Sequence, residues 1–177
     1  EHAYTSITIP GEVNRLDKGF PSLPRVSRSV IIPAIADMDA MVISGDYEDI
    51  QGIDIVPSKG SIVRTVNPAD VPYTFDSVYD RDDFWPTSVV ELSDPYIMRS
   101  MRGVTVRVNP FQYNPATGTL RVWKNITVGV DNVGISRDNI NPYSNNKHDG
   151  GSAFHSIYSK HFLNYHRDLR SNPIMEE

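Results

Sequence analysis

The sequence predicts an all-β fold: an antiparallel β-sandwich with a C-terminal amphipathic helix. Three observations lead to this prediction. Short β-branched and aromatic runs alternate with clusters of Gly, Pro, Asn and Asp, which is typical of strands joined by turns. No long helical segment separates these runs, so a parallel sheet with crossover helices is not expected. One segment near the C-terminus has apolar residues at helical spacing.

The individual strands are predicted from alternating apolar and polar residues, and from the breakers between them. The clearest is Met101–Val108, whose valines point to one side while Thr105 and Arg107 point to the other. Residues 114–118, Asn-Pro-Ala-Thr-Gly, form a connection of hairpin length. The other predicted strands cover residues 3–9, 25–32, 39–44, 46–55, 88–92, 96–98, 109–114 and 119–130.

The composition changes after the last strand. Residues 132–151 are rich in Asn, Asp and Gly, which is typical of a linker. A helix is then predicted over residues 152–170, because Asn172-Pro173 ends it and one apolar stripe runs along it. The stripe consists of Phe154, Ile157, Tyr158, His161, Phe162 and Tyr165. We therefore expect a sandwich domain over residues 1–131, followed by the linker and the helix.

Composition excludes several classes of protein. The chain has 177 residues, a net charge of −5 and no cysteine, so it has no disulfide, thiolate metal site or cysteine nucleophile of its own. It has no basic stripe, and nucleic acid is not an expected partner. It has no apolar run of the ~20 residues that a membrane-spanning helix needs, and no membrane partner is expected.

No catalytic or metal site is predicted either. A helical zinc pair requires two histidines four residues apart, and four residues after His161 comes Tyr165. The carboxylates Asp80, Asp82 and Asp83 lack the Gly and the terminal Glu of a calcium-binding EF-hand loop, so they indicate a solvated turn, with calcium binding as the alternative. Nothing assembles an acid, a base and a nucleophile. We expect neither enzyme activity nor a cofactor.

The stretch that needs a functional interpretation is 57–72, PSKGSIVRTVNPADVP. Breakers at both ends bound an extended segment that carries one arginine, Arg64. An extended, tethered segment with a long cation fits a protease cleft. An edge strand with a solvated arginine explains the same residues, and composition alone favours this second interpretation.

A set of short motifs follows a definite order over most of the chain. They are Lys18-Gly19, Pro21, Leu23-Pro24, Ser27-Arg28-Ser29, Pro57-Ser58-Lys59-Gly60, Arg64, Pro68, Pro72-Tyr73, Leu92, Asp94-Pro95, Arg99, Arg102-Gly103, Gln112-Tyr113-Asn114-Pro115, Tyr158, Phe162, Asn164-Tyr165 and Arg170. In this order and spacing the chain resembles the N-terminal prodomain of gingipain-type cysteine peptidases, the secreted caspase-like proteases of Bacteroidetes.

This resemblance implies an inhibitory propeptide. Such a β-sandwich covers the cleft of its catalytic domain, here that of an Arg-specific cysteine protease, keeps it latent, and assists its folding and secretion. A basic residue enters the specificity pocket, and on this match it is Arg64. The implied inhibitory loop consists of Ile62, Val63, Arg64, Thr65 and Val66. The implied location is secreted: the periplasm in transit, then the cell surface or the extracellular space.

The resemblance also implies a maturation cleavage between Arg170 and Ser171, so that residues 171–177 would begin the catalytic domain. Exposed, breaker-rich segments such as this one favour nicking. Other arginines are rivals of Arg64 for contact with the protease: Arg137 in the linker, and Arg99 and Arg102 beside a predicted strand.

A different class of function stays open, a β-sandwich adhesion or carbohydrate-binding module. Its motivation is a group of aromatic side chains that could stack on sugars: Tyr73, Phe75, Tyr79, Phe84 and Trp85. Packing in the core and at the rim of the sandwich is the alternative interpretation of these residues.

Overall fold

The computed structural model describes residues 4–141 and 152–165. Within them the strands are β1 Val13–Asn14, β2 Pro24–Ile31, β3 Ala36–Ile50, β4 Val90–Leu92, β5 Tyr96–Met98, β6 Met101–Val108, β7 Phe111–Asn114 and β8 Thr119–Ile135, and the helix is α1 Ser152–His161. Two 3-10 helices, Pro68–Asp70 and Ser77–Asp80, lie between β3 and β4. The predicted all-β class with a C-terminal helix is confirmed.

The strands form two antiparallel sheets. One has the order β1-β2-β6-β4, with β5 also pairing with β6, and the other has the order β3-β8-β7. The predicted hairpin at residues 114–118 joins β7 to β8, with Asn114 opposite Thr119. A tighter hairpin joins β5 to β6, and Arg99 in its two-residue turn has a φ of 57°. Turns of this length require a positive φ.

The described residues divide into two compact units, each with its own apolar core. The first comprises residues 4–26, 42–90 and 108–128, and its core consists of Leu23, Ile55, Tyr113 and Leu120. The second comprises residues 27–41, 91–107, 129–141 and 152–165, and its core consists of Met101, Tyr158, Phe162 and Tyr165. The predicted helical stripe is therefore partly correct, because Ile157 and His161 are exposed. The imidazole of His161 instead forms a 2.9 Å hydrogen bond with the hydroxyl of Tyr96.

The helix ends earlier than its apolar periodicity predicts, at His161. The next residues pair with a strand: the N–H of Leu163 donates to the carbonyl of Ser29 at 2.9 Å. The side-chain amide of Asn164 accepts from the N–H of Ile31 at 2.7 Å and donates to its carbonyl at 2.8 Å. An asparagine here supplies both partners that a neighbouring strand would offer. Residues 166–170 of the predicted helix lie outside the described residues.

The strand predicted over 39–44 and the first part of the strand predicted over 46–55 form one continuous strand, β3, which ends at Ile50. Gly45 does not interrupt it, because the glycine makes room for an aromatic ring. A Cβ at this position would lie 3.3 Å from Cε3 of Trp123, closer than most real contacts. Gly45 therefore serves close packing within a strand, one of the uses of glycine there.

Two further predictions change at the ends of elements. Residues 4–9 form only an isolated bridge, at Thr5, because the carbonyl of Ile7 is taken by the side chain of Asn14 at 3.2 Å. At the other end β8 continues to Ile135, four residues into the predicted linker. The residues of this extension are exposed, so they can be polar, and the same polar composition is typical of a linker. The described part of the chain has no helix long and apolar enough to cross a membrane.

Candidate functional site: the loop that carries Arg64

The loop of residues 59–75, the Arg64 loop, is anchored to Gly19 of the first unit at both of its ends. At its start the N–H of Gly19 donates to the carbonyl of Ser58 at 2.9 Å, and at its end the N–H of Asp76 donates to the carbonyl of Gly19 at 3.0 Å. The φ of Gly19 is 86°, and a Cβ there would lie 3.1 Å from the nitrogen of Asp76. Only glycine fits both conditions. No local pattern in the sequence indicates this anchoring role.

The tip of the loop is a turn, which corrects the predicted extended conformation. The N–H of Val66 donates to the carbonyl of Val63 at 3.0 Å, so Arg64 and Thr65 are the two central residues. The side chain of Asn67 then accepts from the N–H of Ala69 at 3.1 Å and caps the first 3-10 helix. A capped helical turn that starts this soon leaves too few residues for a strand. The Arg64–Thr65 peptide therefore lies in the middle of a turn.

The side chains at this tip face outward. Arg64 and Thr65 are exposed, and Val63 and Val66 are 66% and 41% exposed. Among the described residues, Arg64 has no hydrogen-bond or ion-pair partner. Ile62 is half-buried and helps to line a groove of about 330 Å³ with Leu16, Lys18, Lys59, Gly60, Ser61, Val63, Val66 and Val71. The predicted loop residues 62–66 thus lie together, with the guanidinium available to a partner.

The rival arginines are placed differently. Arg102 is 1% exposed and donates to four backbone carbonyls at 2.7–2.9 Å, those of Pro33, Ala36, Asp138 and Asn139. Burial lowers the pKa of its guanidinium, and the charges of nearby Asp37 and Asp138 oppose that shift. The guanidinium of Arg99 lies 3.9 Å from the ring centroid of Phe154. Arg137 is exposed, just after β8. Arg170 and Ser171 lie outside the described residues.

The aromatic side chains that motivated a sugar-binding interpretation are engaged within the first unit. Trp85 packs against Phe20 with centroids 5.2 Å apart, and Arg121 lies 4.1 Å from the centroid of Phe84. The hydroxyl of Tyr79 donates to the carbonyl of Ile55 at 2.9 Å, and burial raises the pKa of this phenol. These contacts are those of core and rim packing.

Two carboxylates of the acidic segment at residues 80–83 accept hydrogen bonds. Asp82 accepts from the side-chain amide of Asn114 at 2.8 Å, and Asp83 accepts from the N–H of Phe84 at 2.8 Å. Within residues 4–141 and 152–165, no three His, Asp or Glu side chains come together as a metal site would require.

Comparisons with known proteins agree with one another. The family profile Propeptide_C25 matches residues 1–172. Gingipain R2 of Porphyromonas gingivalis is 37% identical over 165 residues, which is 93% of this chain and 22% of the relative. Gingipain R1 of the same organism is 36% identical over 93% of this chain and 16% of its own length. Lys-gingipain is 22% identical over 97% of this chain and 10% of its own length.

Two solved structures are similar as well. The complex of the P. gingivalis RgpB pro- and mature domains matches with a TM-score of 0.80 and 36% identity, over 90% of this chain and 79% of that chain. A structure on the zymogenic latency of gingipain K from P. gingivalis matches with a TM-score of 0.63 and 25% identity, over 74% and 75% of the two chains. The chain spans less than a quarter of the length of these curated relatives.

Proposed function

The chain belongs to the Propeptide_C25 family of gingipain-type propeptides, and from this membership we propose that it keeps the catalytic domain of an Arg-specific cysteine protease latent. It is a propeptide and not a catalytic domain. The observation that carries the proposal is the exposed guanidinium of Arg64 at the tip of an anchored loop. In this role Arg64 enters the specificity pocket of the protease.

Arginine suits such a pocket for a physical reason. A pocket that selects arginine needs a buried carboxylate, and the guanidinium offers it two parallel N–H donors. A hydrogen bond to a charged group contributes about 1.5–3 kcal/mol net. Lysine is a point charge on a different stem and does not reproduce this fork. This chain is more identical to the gingipain R relatives than to Lys-gingipain, which agrees with a partner whose pocket selects arginine.

The turn at residues 63–66 supports inhibition rather than rapid cleavage. Hydrolysis requires the reacting atoms to come within about 3–3.5 Å in the correct alignment. The Arg64–Thr65 peptide is the central peptide of a hydrogen-bonded turn, so it must be extended before it fits a cleft that binds strands. The two anchors at Gly19 also reduce the entropy that the loop loses on binding.

Inhibition by the isolated chain tests the proposal. The chain is mixed with the catalytic domain of its own precursor, and residual peptidase activity is measured on Arg and Lys substrates. We expect wild type to inhibit, Arg64→Ala to inhibit much more weakly, and Arg137→Ala to behave as wild type. Equal inhibition by wild type and Arg64→Ala would show that Arg64 does not fill the pocket.

Maturation between Arg170 and Ser171 is a second part of the proposal. The N-terminus of the mature protease, determined by sequencing, should be Ser171; any other start contradicts this cleavage site. We also propose that the propeptide assists folding and travels with the secreted precursor. Refolding of the catalytic domain should give more active enzyme with the chain added than without it, and equal yields would argue against this role.

A further inference from the structure

One lysine connects the two limbs of the Arg64 loop. The ammonium of Lys59, before the turn, donates to the carbonyl of Pro68 after it at 2.6 Å. The same ammonium lies 4.4 Å from the ring centroid of Tyr73, still further along the second limb. A cation over the face of a tyrosine within about 6 Å is attracted by the ring. A single charge therefore contacts both limbs of the loop.

The backbone around Lys59 is itself fixed, which orients the lysine stem. Ser58 is buried, and its hydroxyl accepts from the N–H of Gly60 at 3.1 Å. Gly60 has a φ of 77°, and a Cβ there would lie 2.9 Å from Cβ of Lys18. The chain thus leaves the scaffold in one direction, and Lys59 points across the loop.

The acceptor side is fixed as well. Pro68 is the first residue of the 3-10 helix that Asn67 caps. The capped helix therefore orients the carbonyl of Pro68. Tyr73 is 50% exposed, and the ammonium of Lys59 lies over its ring. Lys59 itself is half-buried.

We propose that Lys59 is a positioning residue of the inhibitory loop. It closes the loop across its base so that the turn at Val63 to Val66 presents Arg64 and resists being extended. This inference rests on the proposed function and adds a residue that acts through Arg64 without entering the pocket. Removal of the ammonium leaves Arg64 in place but lets the two limbs separate.

Three variants of the full chain isolate this role. Lys59→Met keeps the length and apolar character of the stem and removes the charge. Lys59→Arg keeps a cation that can donate to a carbonyl and stack on a ring. Lys18→Met is the matched control, because it removes the same charge from the scaffold side of the same groove.

Two measurements test the role of Lys59 in the loop: inhibition of the protease and the rate of cleavage at Arg64–Thr65. With the catalytic domain of the precursor, we expect Lys59→Met to weaken inhibition about tenfold and Lys59→Arg to return it to within about threefold of wild type. With the free chain and trypsin, which cuts after arginine and lysine, mass spectrometry gives the initial rate of cleavage at Arg64–Thr65 separately from that at Lys59–Gly60. The rate at Arg64–Thr65 should rise about tenfold in Lys59→Met and stay unchanged in Lys18→Met. The unfolding midpoint should move by no more than about 2 °C.

The two measurements also separate the two proposals. If Lys59→Met inhibits and resists trypsin as wild type does, or if Lys18→Met has the same effects, the positioning role is wrong while inhibition through Arg64 stands. If wild type and Arg64→Ala inhibit equally, Arg64 does not fill the pocket, and the trypsin rates still decide whether Lys59 closes the loop.

Discussion

Arg64 and Arg102 are the same side chain in opposite surroundings. Arg64 lies exposed at the tip of a turn and has no hydrogen-bond or ion-pair partner among the described residues. Arg102 is buried and donates to four backbone carbonyls of its own unit. The donors of Arg102 are already used, and removing them from their carbonyls would leave buried groups unsatisfied. Available donors, and not residue type, therefore make Arg64 rather than Arg102 the candidate for contact with a partner.

The largest expected effect comes from the buried arginine. Arg102→Met should lower the free energy of unfolding by about 3–5 kcal/mol, because buried carbonyls lose their charged donor. Chemical denaturation of the isolated chain measures it. Arg107→Met, which changes the same charge on the same strand β6, is the control. A loss below about 1 kcal/mol would mean that water replaces the guanidinium, and Arg102 would then not differ from Arg64 as a support of the fold.

The exposed arginine should give the second largest effect, and on a different measurement. Arg64→Ala should weaken inhibition by about 100-fold or more, since truncating one partner of a buried charge pair costs about 2–5 kcal/mol. Its unfolding free energy should stay within about 0.5 kcal/mol of wild type, as for surface substitutions. The inhibition by Arg64→Lys should lie between that of wild type and that of Arg64→Ala. A destabilised Arg64→Ala would show that this arginine supports the fold after all.

A third arginine, Arg121, sharpens the comparison with a smaller effect that depends on pH. It binds Asp49 through two 2.9 Å hydrogen bonds, and these hold the pKa of the Asp49 carboxyl below its usual 3.8. Because that pKa is lowered on folding, the pair stabilises the fold above the unfolded pKa, and the contribution is lost as pH falls through the folded value.

Asp49→Asn should therefore cost about 0.5–1 kcal/mol at pH 7, the usual range for a partly exposed pair. The difference from wild type should shrink as pH falls below about 4. Unfolding curves at several pH values measure it, with Asp46→Asn on the same strand as the control. A difference that persists at the lowest pH would assign the loss to packing of Arg121 over Tyr47 and Phe84 rather than to charge.

Local sequence patterns predicted those elements whose pairing partners are close in the chain. The strand Met101–Val108 has its predicted bounds, and the connection between β7 and β8 lies at the predicted residues, because alternation and turn residues act over a few positions. Gly45 was interpreted as a break because the ring of Trp123, far along the chain, is invisible to a local pattern. The helix was extended too far for the same reason: Asn164 is bound by Ile31, more than a hundred residues away.

The sequence singled out the residues of the candidate site, but it did not predict the conformation of their loop. Breakers around residues 57–72, together with the family motifs, singled out Arg64 and its neighbours. Its conformation depends on the cap at Asn67 and on the anchor at Gly19, which has contacts at both ends of the loop. Neither Gly19 nor Lys59 was predicted to act on the loop, although both belong to the motifs that carry the resemblance.

By itself the sequence determined the all-β class, the absence of cysteine chemistry, the family, and the arginine that deserves testing. These follow from local alternation, composition and the order of short motifs. Only the tertiary structure decided that Arg64 lies in a turn, that Arg102 is buried beneath backbone carbonyls, and that Lys59 joins two limbs of one loop. The physical reason is that availability of a donor depends on which distant groups already occupy it, and that is set by folding in three dimensions.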